Sequence, residues 1–169
     1  LAEPERDVVG IGRHALVHGH CHHKALMKLD AEERVLARLG LDCEVPDSGC
    51  CGMAGAFGFE GGEHYDVSLA CGERVLLPKV RAAEADTLVI ANGFSCRKQI
   101  ELTTERRALQ RAQGWERAQR EADGTRLPLN RPEDALLPAE PRDPTRVEAL
   151  LALVVIVAVV AALLYWLLR

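Results

Sequence analysis

Apolar positions in this chain fall in short runs, and loops rich in glycine, cysteine and histidine separate them. The first run, Arg13-His14-Ala15-Leu16-Val17-His18, has an apolar centre and reads as a buried strand. Gly19-His20-Cys21-His22-His23 follows it as a loop. Asp30-Ala31-Glu32-Glu33 has the form of a helix N-cap with a glutamate three residues on; Val35, Leu36 and Leu39 give that helix an apolar side, and Gly40 closes it. Leu41 to Val45 is a second short strand, which Pro46-Asp47 lead into Ser48-Gly49-Cys50-Cys51-Gly52-Met53-Ala54-Gly55. From Glu63 to Leu77 the pattern predicts a helix with Val67, Leu69 to Cys71 and Val75 to Leu77 inward, after which Pro78 begins a turn. Thr87-Leu88-Val89-Ile90-Ala91, β-branched and apolar, predicts a central strand covered on both faces and runs into Asn92-Gly93-Phe94-Ser95-Cys96. One helix is expected from Arg97 to about Asp123, with Ile100, Ala108, Ala112 and Trp115 inward and its arginines and glutamates as a solvated face.

Strands alternating with helices predict an α/β fold, a small Rossmann-like three-layer domain of parallel strands. Ligands of such sheets gather beyond the carboxyl ends of the strands. Cys21, Cys50, Cys51 and Cys96 all lie just past predicted strands, so one edge of the sheet is expected to collect four thiols. Cys43 and Cys71, inside a strand and a helix, read as small buried residues. The domain is expected over 14–123, after an N-terminal extension at 1–13. Five prolines among charged residues make 124–146 a disordered linker. The remaining segment, 147–169, contains an unbroken apolar run from Ala149 to Leu168, about 30 Å long as a helix and enough to cross a bilayer once. Arg142 and Arg146 before this run, against Arg169 alone after it, favour keeping the cysteine-rich domain on the cytoplasmic side of that membrane.

Composition narrows the chemistry. The chain has 169 residues and a net charge of -4, and it shows no basic face with interleaved aromatics, which argues against a nucleic-acid partner. Its start is charged, without methionine or an apolar signal core, and so reads as the start of a fragment with no export signal. Six cysteines without such a signal read as bound or reduced thiols in place of disulfides. Adjacent side chains leave an extended backbone in opposite directions, so Cys50 and Cys51 can serve one centre only where the backbone bends, which Gly49, Gly52 and Gly55 permit. Thiolates at such a bend suit an iron-sulfur cluster or zinc. His20, His22 and His23 are too crowded along the chain to ligate one ion together and read as supporting donors around Cys21. Thiol-disulfide exchange at Cys50-Cys51 is a third reading, without an obvious base.

Gly19-His20-Cys21-His22-His23-Lys24, Gly49-Cys50-Cys51-Gly52-Met53-Ala54-Gly55 and Gly93-Phe94-Ser95-Cys96-Arg97 resemble the cysteine-rich CCG domain. That domain occurs in heterodisulfide reductase, in the iron-sulfur subunits of glycolate oxidase and anaerobic glycerol-3-phosphate dehydrogenase, and in lactate-utilisation proteins. The likeness runs from about His14 to Leu109. It looks closest to the C-terminal part of fused FAD-binding and iron-sulfur-binding dehydrogenases of the D-lactate or glycolate type. The resemblance implies a cluster, most simply of the 4Fe-4S type, on Cys21, Cys50, Cys51 and Cys96. It also implies FAD on a separate domain or partner, and electrons passed toward a membrane acceptor such as a quinone. The chain would then be part of an FAD-linked oxidoreductase and not a complete enzyme; the alternative is a zinc-binding module that docks a partner at the membrane. The family often ends with C-x-x-C, whereas here the first of those positions is Gly93. Its members also commonly carry two copies of the domain, where this chain has one.

Overall fold

A computed structural model describes residues 12–125, 127–128, 130–137 and 146–167. The chain divides into two units, one ending at Pro138 and the other running from Ala139 to Arg169. In the first unit, strand β1 (Arg13–His18) leads into helices α1 (Cys21–Met27) and α2 (Asp30–Arg38), then strand β2 (Leu41–Glu44). A 3-10 turn at Phe57–Phe59 precedes α3 (Glu63–Glu73), α4 (Leu76–Ala82), β3 (Leu88–Ala91), α5 (Phe94–Thr103) and α6 (Arg111–Ala122). A second 3-10 turn spans Pro132–Ala135.

The sheet is parallel with order β2-β1-β3, Arg13 standing opposite Leu41 and Ala15 opposite Leu88. Side chains alternate across it. Leu16, Val89 and Ala91 join Cys51, Met53, Leu76, Leu77, Val80, Cys96 and Ile100 in one core. Ala15, Val17, Leu88 and Ile90 join Leu36, Leu39, Leu41, Leu109 and Ala118 in the other. Helices and turns thus cover both faces, giving the α/β three-layer arrangement that the hydrophobic pattern implies. Each fully buried leucine contributes about 2 kcal/mol by leaving water.

The central strand is β1, not β3. The free side of β3 is covered differently: Leu109 N–H donates to Val89 O at 2.8 Å and Ala91 N–H donates to Leu109 O at 2.9 Å, a parallel bridge opposite Ile90. This bridge corrects the expectation of one helix from Arg97 to Asp123. The chain leaves α5 at Thr104, runs extended beside β3, and restarts as α6 where the Gln113 side chain accepts from the Gln110 N–H at 2.7 Å. Ile100 and Ala108 are buried as expected, but Ala112 is exposed and Trp115 is 36% exposed, because the inward side of α6 carries Arg117 and Ala118. Pro78 does not end a helix either. It lies in the first turn of α4, where its missing N–H costs nothing, and the break falls at Arg74-Val75. On α3 the buried positions are Ser68 and Gly72, while Val67 is 52% exposed.

Part of the stretch read as a disordered linker is packed. Glu133, 1% exposed, accepts from Arg106 Nε at 2.6 Å, and the same guanidinium donates to Thr87 O at 2.6 Å. Arg117, fully buried, donates to the carbonyls of Pro128 and Pro132 at 2.9 and 3.1 Å. Prolines remove N–H donors but keep their carbonyls, and two buried arginines supply the donors that such a segment can accept from. In the second unit, α7 spans Arg146–Leu167. This is the run that the sequence reads as a membrane span, yet among the described residues no helix is long and apolar enough to cross a membrane. Residues 1–11, 138–145 and 168–169, including most of the N-terminal extension, lie outside the described residues.

A four-thiol candidate metal centre

The carboxyl edge of the sheet is where the motifs meet. Cys21 is the first residue of α1 and not part of a loop, Cys50 and Cys51 occupy the turn after β2, and Cys96 sits in the first turn of α5. The double-cysteine turn is pressed onto α3. A Cβ on Gly52, whose φ is +93°, would fall 2.0 Å from Ser68 O, and one on Gly72 would fall 3.0 Å from Cys51 O. Small residues on both partners allow this approach. They also explain why α3 buries a serine and a glycine where aliphatic side chains were expected.

The sulfurs form two pairs. Cys21 Sγ lies 3.8 Å from Cys50 Sγ, and the Gly52 N–H donates to Cys50 Sγ at 3.3 Å. Cys51 and Cys96, 3% and 0% exposed, form the inner pair. The Cys96 thiol donating to Cys51, helped by the Met53 N–H, pulls the Cys51 thiol down to about 6 against the opposing effect of burial. The Cys96 thiol is pushed up because it gives that hydrogen bond, is buried, and faces the charges of Cys51, Cys21 and Cys50. Burial is also the main reason that the Cys50 thiol is raised. The inner pair is thus joined by a hydrogen bond from Cys96 to Cys51, and Cys96 also feels the charges of Cys21 and Cys50.

Among the described residues no group of three or more histidines, cysteines or carboxylates is arranged to hold a single metal ion. Zinc needs four ligands converging on one ion, whereas a cluster of more than one iron can take its thiolates in separate pairs. A buried nitrogen lies at the same end of the sheet. His18 ends β1, is 2% exposed, and its Nδ1 lies 2.7 Å from Ser48 Oγ, while its Nε2 has no partner. Burial first, then the positive charges of His20 and Lys24, lower its pKa to about 4 and keep the ring neutral.

The three histidines around Cys21 differ from one another. The His20 ring lies across Gly93, where a Cβ would come within 2.4 Å of its Cδ2 and 3.0 Å of Cys96 Sγ, so that only glycine fits between them. His22 is exposed and meets His20 edge to face at 6.5 Å. His23 turns to Glu32, 3.7 Å from Oε1, the oxygen that also accepts from Asn92 at 2.8 Å and pairs with Arg111 at 3.0 Å. These groups, with Trp115, line a groove of about 490 Å³. Cys43 stays on β2 with its sulfur toward Leu41 O. Cys71, half-buried on α3, lies against Gly52.

Sequence reasoning placed His18 at the end of the first strand and Ser48 at the head of the double-cysteine stretch but gave neither a role. The available signal was parity, since His18 follows Leu16 by two on a buried strand.

The chain is similar to D-2-hydroxyglutarate dehydrogenase of Pseudomonas putida, 33% identical over 106 residues that make up 62% of this chain and 10% of that protein. It is also similar to one subunit of the anaerobic glycerol-3-phosphate dehydrogenase of Escherichia coli K12, 41% identical over 68 residues, 40% of this chain and 16% of that relative. The chain thus spans a small part of the length of each relative that it matches. No family model matches it. No solved structure matches it.

Proposed function

We propose that this domain is an iron-sulfur electron-transfer module of an FAD-linked oxidoreductase acting on a 2-hydroxy acid of the D-lactate or glycolate type, with Cys21, Cys50, Cys51 and Cys96 as the cluster ligands. The observation that carries the reading is the meeting of these four cysteines at one sheet edge, Cys21 against Cys50 at 3.8 Å and Cys96 hydrogen-bonded to Cys51. The two dehydrogenase relatives support it at partial coverage. A bound cluster, most simply 4Fe-4S, would supply a one-electron store between a flavin on another domain or partner and a final acceptor. The chain's own contribution is to bring the sulfurs together and to keep water from the inner pair with Met53, Ile100 and Ala91, which pack in the same core as Cys51 and Cys96. Membrane attachment through the apolar run from Ala149 to Leu168, with a quinone as acceptor and the domain cytoplasmic, is part of the proposal and rests on sequence alone.

Anaerobic purification with iron and acid-labile sulfide analysis tests the reading. Wild-type protein is expected to be coloured; Cys51→Ser or Cys96→Ser abolishes iron and visible absorbance, and Cys43→Ser leaves both nearly intact. Equal iron retention in all of them overturns it. The alternative is zinc on the same cysteines, for which His20, whose ring lies against Gly93 near Cys96, is the histidine that would have to join them. Colourless protein with one zinc per chain, lost in His20→Ala, would establish that alternative.

A further inference from the structure

His18 is a buried polar residue that the thiol set does not explain. Along β1, Leu16 belongs to the core that contains Cys51, Met53, Ala91 and Cys96, whereas Ala15 and Val17 belong to the opposite one. Strand side chains repeat every two residues, so His18 stands on the Leu16 side, one step nearer the carboxyl edge where Cys21 emerges. Its ring is 2% exposed, Ser48 Oγ occupies Nδ1 at 2.7 Å, and Nε2 is buried with no partner. Ser48 in turn precedes Cys50 by two residues and is itself 6% exposed. Buried imidazole nitrogens left without a hydrogen bond are rare and costly, and His18 ends the strand that delivers Cys21, three residues on, to the thiol edge.

We propose that His18 is a positioning residue for the bound cluster, donating a hydrogen bond from Nε2–H to a thiolate or sulfide sulfur, with Ser48 fixing the ring. The inference rests on the cluster reading above. Thiolate and sulfide have lone pairs and no proton, so only the tautomer with hydrogen on Nε2 complements them. That tautomer requires Nδ1 to accept, and the Ser48 hydroxyl can donate to it. Hydrogen bonds to cluster sulfurs stabilise the reduced, more negative state and so raise the reduction potential.

The test uses the full chain loaded anaerobically with iron and sulfide, and its readouts are iron content and the reduction potential from a redox titration. His18→Phe is expected to keep its iron and to have a lower potential than wild type. His18→Gln, which replaces a donor near the Nε2 position, recovers part of the loss, and Ser48→Ala falls between wild type and His18→Phe. Wild-type protein labelled with 15N-histidine gives a second measurement that needs no variant at position 18. The reduced cluster should show 15N hyperfine coupling that survives His20→Ala and His22→Ala. Loaded wild type without that coupling, or with the potential of His18→Phe, overturns the role of His18 alone. Wild type that binds no iron overturns the cluster reading beneath it.

Discussion

At the scale of single residues, the backbone around the thiols is more demanding than the thiols themselves. Gly49 and Gly52 both have positive φ, +62° and +93°, but a Cβ on Gly49 meets open space whereas one on Gly52 meets a backbone carbonyl. Gly49→Ala should therefore cost only the left-handed strain, about 1 kcal/mol. Gly52→Ala should cost at least about 3 kcal/mol and displace the double-cysteine turn, since Ser68 O cannot yield without moving α3. Urea denaturation of the metal-free variants reads the contrast, and equal destabilisation would contradict it. His18 makes a pH prediction on the same metal-free chain. Its folded pKa, about 4, lies below the ordinary 6.5, so the unfolded state takes up a proton that the folded state refuses. Stability should be undiminished above pH 6.5 and fall as pH drops from 6.5 toward 4, by about 3 kcal/mol at most. His18→Gln should flatten this slope; an unchanged slope would place the titration elsewhere.

At the scale of elements, the packed segment after α6 is expected to be part of the fold. Glu133→Gln leaves the buried Arg106 charge without its carboxylate and should destabilise by about 3 kcal/mol, measured by denaturant midpoint. A chain ending at Leu137 should keep the wild-type midpoint, whereas one ending at Asp123, the boundary suggested by the prolines, should unfold far more readily because Arg106 loses the Glu133 carboxylate and Arg117 the carbonyls of Pro128 and Pro132. Strand β1 was legible to the residue, and so was Gly40 as the stop of α2, because alternation and capping are local signals. The helix break between Thr104 and Gln110 was not. Ile100 and Ala108 fit a continuous helix, and what interrupts it is the pairing of Leu109 with β3, a tertiary event without local signature. The thiols were legible as lying just past strands, though Cys21 and Cys96 sit in helices, and the pairing of Cys21 with Cys50, and of Cys51 with Cys96, depends on how α3 and α5 dock. The linker misled for a simpler reason: its proline carbonyls serve as acceptors, and composition does not reveal which arginines will need them.

At the scale of the whole molecule, the two units invite separate experiments. Deleting 146–169 should leave iron binding by the first unit unchanged, because all four thiols and both cores lie before Pro138. If the apolar run anchors the protein, that deletion should also move it from the membrane fraction to the soluble fraction; full-length protein found soluble without detergent would end the anchoring proposal. The sheet order β2-β1-β3 has a consequence in time as well as space. A chain synthesised from its N-terminus presents β1, α1, α2 and β2 first, and with them Cys21, Cys50 and Cys51. The fourth thiol arrives only when β3 has crossed over to the other side of β1 and α5 has wound behind it. Long-range parallel pairing is a slow step in folding. During translation, then, the nascent domain exposes three sulfurs while its last ligand is still being made, and metal captured in that interval would be held on an incomplete set.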